Sequence, residues 1–159
     1  KLYKFSVEYL EEVNNKKIQE FMNFEISSHK NEYKKEEISE LESILNQIIY
    51  SIDNESEEED TNIIKNKIIN FIGNSKTFSY QSKNIWIIEL VIKILENYSQ
   101  DLAKYRALFC MELLNQLYLF EIEDLNELNK TEFEMIRKKL YQYYRFYDKL
   151  RKERKKKFL

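Results

Sequence analysis

Apolar residues recur every three or four positions along this chain, the spacing that places side chains on one face of an α-helix. Near the start they form two stripes, separated by the polar residues 14–17: Leu2, Phe5, Tyr9, Leu10 and Val13, then Ile18, Phe21, Met22 and Ile26. The pattern predicts a first helix over Leu2–His29, and the shift in phase favours a kink at 14–17.

The second stretch has the seam of a helical bundle, with apolar residues stepping by three and four: Ile38, Leu41, Leu45, Ile48 and Ile52. It predicts helix over Glu36–Ile72, interrupted by an acidic loop at 53–60 because the like charges there repel one another. Helix should resume with Asp60 or Thr61 as the N-cap, and Gly73 suits a left-handed residue after its end.

Two further helices complete the pattern. The third is predicted over Ser82–Glu121, after a linker at 75–82, since its polar positions stay in phase throughout. The fourth is predicted over Thr131–Lys156, because Thr131-Glu132-Phe133-Glu134 fits a capping box. Beyond Leu150 its seam positions become basic, so this end of the helix has nothing left to bury.

The chain contains no proline and one glycine, so few residues break its helices. Together these patterns predict an all-α fold: one domain over 1–159, built as an antiparallel four-helix bundle of long helices, one interrupted by the acidic loop. No apolar run reaches the roughly 18 residues of a membrane span. The predicted core comprises Phe21, Leu45, Ile48, Trp86, Ile88, Leu95, Leu113, Leu117, Leu140 and Tyr147.

The residue counts argue against catalysis. The single glycine, Gly73, cannot build a phosphate-binding loop, and the single histidine, His29, cannot complete a di-iron site. Glu25, His29 and Glu32 share a helical face, but a surface histidine at a helix end is the favoured interpretation. Cys110 lies among apolar residues and is interpreted as core. We therefore expect a non-enzymatic protein with no catalytic residues, cofactor or metal.

Charge is strongly polarised although the net charge is −2: residues 36–60 hold ten acids and no base, and residues 137–159 hold eleven bases and two acids. The basic end predicts a contact surface for an anionic membrane or an acidic protein partner. Its members are Arg145, Lys149, Arg151, Lys152, Arg154, Lys155, Lys156 and Lys157. The alternative is a solvated helix end, 151–159, that offsets the acidic loop. Nucleic acid is not expected, because the aromatic residues among these bases fall mostly on the buried seam.

The apolar residues are mainly Ile, Leu, Phe and Tyr and the polar ones mainly Lys, Asn, Glu and Ser, a bias typical of AT-rich genomes. In size, composition, helical architecture and lack of catalytic groups, the whole chain resembles the secreted helical-bundle proteins with which malaria sporozoites traverse host cells. The resemblance implies a non-enzymatic protein, released from a secretory organelle, that acts at host-cell membranes. It assigns no individual residues.

The alternative function is an intracellular helical scaffold or adaptor that binds an acidic protein partner, with a cytoplasmic location. The sequence begins with Lys1 rather than Met. We therefore expect a trimmed piece of a longer chain, from which a signal peptide has been removed if the protein is secreted.

Overall fold

Helix dominates the structure, a computed structural model that describes residues 2–54, 58–74, 79–99, 112–113, 115–119, 121–122 and 127–157. The fold class is all-α, as predicted. The main helices are α1 (Leu2–His29), α2 (Lys35–Asn54), α3 (Glu58–Ile72), α4 (Ile85–Ser99) and α5 (Glu127–Lys157). Residues 112–113 and 115–118 are also helical. The antiparallel four-helix arrangement stays a prediction.

The first helix has the predicted bounds, Leu2–His29, and it is helical without interruption across 14–17. A short 3₁₀ helix, Lys30–Glu32, follows it. The start of α2 is then fixed by Glu37, whose carboxylate Oε1 accepts a hydrogen bond of 2.9 Å from the backbone N–H of Lys34. This contact satisfies one of the amides that a helix start leaves without an intrahelical partner.

The prediction of an acidic loop at 53–60 is wrong for most of that range. Residues 53–54 end α2 and 58–60 begin α3, while 55–57 lie outside the described residues. The sequence of the first turn of α3 is therefore acidic, and Asp60 and Thr61, predicted as alternative N-caps, lie inside the helix. The partial positive charge at a helix N-terminus stabilises nearby carboxylates, which offsets the repulsion on which the loop prediction rested.

The third predicted helix begins later than Ser82. Residues Ser82–Asn84 form a 3₁₀ helix, and α4 starts at Ile85. Buried Asn84 donates a hydrogen bond from Nδ2 to the carbonyl oxygen of Ile72, at 2.8 Å. It thereby satisfies one of the carbonyls that the end of α3 leaves open. The predicted continuity of this helix falls on 100–111, outside the described residues.

Within the described ranges, three strands of two residues each adjoin these helices. They are β1 (Gly73–Asn74), β2 (Ser79–Tyr80) and β3 (Glu121–Ile122), in the order β1-β2-β3. The first pair is antiparallel, with Gly73 opposite Tyr80, and the second is parallel, with Ser79 opposite Glu121. The third predicted helix therefore does not reach Glu121, and part of the predicted linker 75–82 is a strand.

The last helix begins at Glu127, four residues before the predicted capping box, so Thr131 lies inside α5 rather than at its cap. Nothing between Glu127 and Thr131 stops a helix, since Glu, Leu and Lys all favour helix and neither glycine nor proline intervenes. At its other end α5 continues to Lys157. This agrees with the prediction that the helix extends beyond Leu150, the last apolar residue of its seam.

The chain divides into two compact units, 1–43 and 44–159. The single-domain assignment stays a prediction. In the first unit the buried apolar residues are Ile18, Met22, Ile26 and Leu41. In the second they come from α2, α3, α4 and α5 and from Leu113 and Leu117, and α4 contributes the largest share. From Ile85 to Leu95 the buried residues of α4 lie on several of its faces, as expected for a helix with neighbours on more than one side.

Most of the predicted core is confirmed. The buried members are Leu45, Ile48, Trp86, Ile88, Leu95, Leu113, Leu117 and Leu140. Phe21 is only half-buried, and the side chain of Tyr147 lies outside the description. Among the described helices, none is both long and apolar enough to cross a membrane.

Candidate functional site

Several exposed bases of α5 lie in one row. Arg145, Lys149 and Lys152 are all exposed. At about 100° of rotation per helical residue, they fall within an arc of roughly 60°. Lys138 is also exposed and falls within the same arc. We call these four residues, Lys138, Arg145, Lys149 and Lys152, the basic row.

The basic row lies on the opposite side of α5 from its buried residues. Ile136 and Leu140 are buried in the second unit. Helical rotation places them about 140–180° from Arg145. Packing therefore determines which side of α5 faces the core, and the basic row is left on the side facing solvent. From Lys138 to Lys152 the row extends about 21 Å along the helix.

Two other bases of α5 are used within the fold. Arg137 donates a hydrogen bond to the backbone carbonyl oxygen of Tyr118, and its guanidinium lies 4.4 Å from the centre of the Tyr118 ring. It also lies 5.5 Å from the centre of the Phe133 ring. Lys139 pairs with Glu96 of α4, with Nζ 2.5 Å from Oε1. These contacts hold α5 against its neighbours. Both bases also lie outside the arc of the basic row.

An aromatic residue stands beside the row. Tyr141 is 44% exposed, and its ring centre lies 5.9 Å from that of Tyr118. The Arg145 guanidinium lies 5.9 Å from the centre of the Tyr141 ring, within the range of a cation–π contact. Sequence reasoning missed this residue because it placed the aromatics of α5 on the buried seam. Tyr141 lies four residues before Arg145, a spacing that brings side chains together on a helix surface and that could have predicted this contact.

Nearby acids weaken the positive potential at both ends of the row. Lys152 pairs with Asp148 one turn earlier, with Nζ 3.0 Å from Oδ2. Glu153 is exposed next to Lys152, and Glu134 is exposed one turn before Lys138. The middle of the row, Arg145 and Lys149, therefore has the strongest attraction for an anion. An exposed ion pair such as Lys152–Asp148 contributes little to stability and opens readily to a competing anion.

The remaining predicted contact residues stand on the last turns of α5, whose backbone is helical to Lys157. Their side chains lie outside what the structure describes: Arg151, Arg154, Lys155, Lys156 and Lys157. Helical spacing places position 156 one turn beyond Lys152, in line with the row.

A metal site finds no support in the described part of the chain. No group of three or more His, Cys, Asp or Glu residues there is placed to hold an ion. His29 ends α1 and its Nε2 lies 3.9 Å from Oε2 of Glu25, a loose contact between residues one turn apart. Cys110 falls outside the described residues.

No protein-family model, curated protein sequence or solved structure matches the chain. A functional assignment therefore rests on the surface of the chain itself, and the basic row is its most distinctive charged feature.

Proposed function

We propose that this is a non-enzymatic protein that docks on an anionic membrane surface through the basic row of α5. The observation that supports it is the placement of Arg145, Lys149 and Lys152: all three are exposed, in line, and opposite the buried side of the helix. Host-cell traversal by a malaria parasite, which the resemblance implies, is the setting proposed for this docking.

The energy available from the row is sufficient for reversible attachment. Each base near an anionic leaflet contributes about 1 kcal/mol, so three bases contribute about 3 kcal/mol. A structural role for the same bases has a smaller effect. Cations in the last turn of a helix gain about 0.3–1 kcal/mol from the macrodipole, and this gain falls off within that turn. Arg145 and Lys149 stand two or more turns before the end of α5, where the macrodipole does not account for them.

The shape of the row favours a membrane over an acidic protein partner. A straight row of about 21 Å on a convex helix meets a plane along its whole length. Tyr141 fits the same contact, because tyrosine rings are enriched where one end of the side chain is apolar and the other wet, as at a headgroup layer. Binding to an acidic protein, as a scaffold or adaptor would do, is the alternative that the experiment separates from this one.

The test compares two variants that lose the same charge. The row variant changes three bases of α5: Arg145→Gln, Lys149→Gln and Lys152→Gln. The control variant changes three exposed bases near the start of α2: Lys30→Gln, Lys34→Gln and Lys35→Gln. Acids are interleaved with the control bases, so they form no continuous positive surface. All six positions are exposed, and we expect both variants to keep the helix content of the parent.

The measurement is co-sedimentation with vesicles of phosphatidylcholine, with and without phosphatidylserine. We expect the parent and the control variant to sediment only when phosphatidylserine is present, and the row variant to stay in solution. Added salt should release most of the bound protein, since the Debye length falls from about 10 Å at 0.1 M to about 3 Å at 1 M. Equal sedimentation of both variants contradicts the proposal. A parent that ignores vesicles but binds polyglutamate supports the acidic-partner alternative.

A further inference from the structure

Two apolar side chains on the first half of α5 are strongly exposed. Leu128 is 87% exposed and Met135 is 69% exposed, the two highest values among the large apolar residues that the structure describes. They are seven residues apart, so two helical turns separate them and they lie on the same side of α5. Single exposed apolar residues are ordinary on protein surfaces. We call this aligned pair, Leu128 and Met135, the apolar patch.

The contacts of the neighbouring residues show that this side of the helix is available. Arg137 and Lys139 hold the middle of α5 to Tyr118 and Glu96, yet Met135 stays exposed beside them. Met135 is about 60° around the helix axis from Lys138, the first member of the basic row. On its solvent side α5 therefore carries these two apolar side chains, among exposed polar residues, in its first half and the basic row from Lys138 onward.

We infer that Leu128 and Met135 enter the apolar boundary of the same bilayer whose headgroups the basic row contacts, so that α5 lies in the plane of the membrane. The inference rests on the proposed function and adds an apolar contact to it. Helices that lie in a membrane interface bind through buried apolar area together with attraction to anionic lipid. The continuity of the patch with the basic row on one helix selects the bilayer as its occupant.

The geometry sets the extent of this contact. From Leu128 to Lys152 the helix runs about 36 Å, so both halves meet the bilayer only when the axis lies parallel to its surface. Attachment by the tip of α5 alone involves the last turns and leaves Leu128 in water. The two modes therefore differ in whether the first half of α5 affects binding.

The first test removes the apolar patch with the double variant Leu128→Ser, Met135→Ser. The control is Phe24→Ser, Ile63→Ser, whose side chains are 68% and 51% exposed on other helices. We expect the patch variant to bind phosphatidylserine-containing vesicles about tenfold or more weakly than the parent, because serine buries much less apolar area in the bilayer than Leu or Met does. The control should bind like the parent.

Salt separates this inference from the proposed function. We expect the parent to retain a fraction bound at about 1 M salt, where charge attraction is screened, and the patch variant to lose it. If the patch variant binds like the parent while the row variant does not, the inference fails and the proposed function stands. If the row variant binds like the parent, the proposed function fails, and the inference fails with it. A patch variant that changes only the oligomeric state overturns the inference in favour of a contact between copies.

A second measurement reports insertion directly. In the variant Met135→Trp, lipids brominated on their acyl chains should quench the new tryptophan of bound protein. The parent is the control, because its single tryptophan, Trp86, is buried in the second unit and should remain unquenched. Equal fluorescence of the variant on brominated and ordinary vesicles, with the protein bound to both, overturns the inference.

Discussion

Removing one or the other partner of the partly buried ion pair between Lys65 of α3 and Glu112 should have very unequal effects. Lys65 and Glu112 meet with Nζ 2.5 Å from Oε2, and the side chains are 5% and 45% exposed. The cost of the pair therefore falls almost entirely on Lys65, whose ammonium group has left water. Loss of the acid leaves that charge buried without its carboxylate, whereas loss of the base leaves a carboxylate that reaches solvent.

The magnitudes follow from this asymmetry. Breaking a fully buried pair costs about 3–5 kcal/mol. Because Glu112 is half in solvent, and water can reach the lysine once the acid is changed, we expect Glu112→Gln to lower the free energy of unfolding by about 1–3 kcal/mol. Lys65→Met retains the length of the side chain and removes the buried charge, so it should stay within about 1 kcal/mol of the parent.

Urea unfolding followed by circular dichroism measures both variants, with Lys67→Met as the control because Lys67 is exposed on the same helix. The reasoning is refuted if Lys65→Met is the more destabilising of the two, or if Glu112→Gln leaves the midpoint where it was.

Three further predictions concern the packing that presents α5. Leu113→Ala should cost about 2–5 kcal/mol in urea unfolding, since the side chain is fully buried; an unchanged midpoint would show that it packs loosely. Asn84→Ala should cost about 1–3 kcal/mol by the same measurement, because the Ile72 carbonyl loses its partner; Asn70→Ala, at an exposed position of α3, is the control. Arg137→Ala should lower the thermal midpoint by several degrees without weakening vesicle binding, and a loss of binding by this folded variant would place Arg137 in the contact surface.

The apolar spacing predicted helices well and their ends poorly. The bounds of α1 follow directly from its two apolar stripes, and most of the predicted core is buried. Both predictions succeed because the burial of apolar residues determines where a helix forms and which of its residues face inward. Helix starts depend on smaller and competing effects. The capping box at Thr131 is overridden because nothing upstream of it stops the helix, and the acids of 58–60 fit a helix start because the macrodipole compensates their repulsion.

The candidate site was predictable as a charge block but not as a row. In the sequence, nothing separates Arg137 and Lys139 from Lys138, which lies between them. In the structure, Arg137 contacts Tyr118 and Lys139 contacts Glu96, so both take part in packing α5. Those partners are distant in sequence, so no local pattern reports them. Tyr141 was missed for a related reason. The aromatics among the bases were predicted to lie mostly on the buried seam, and Tyr141 was not singled out as an exception, although its helical position places it beside Arg145.

The measurement that tests the account most directly is the ratio of vesicle affinities of the row variant and the control variant in about 0.1 M salt. Three bases at about 1 kcal/mol each predict a row variant that binds phosphatidylserine-containing vesicles roughly a hundredfold more weakly than the control variant, with equal helix content. A ratio near one, with both proteins folded, would contradict docking through the basic row of α5.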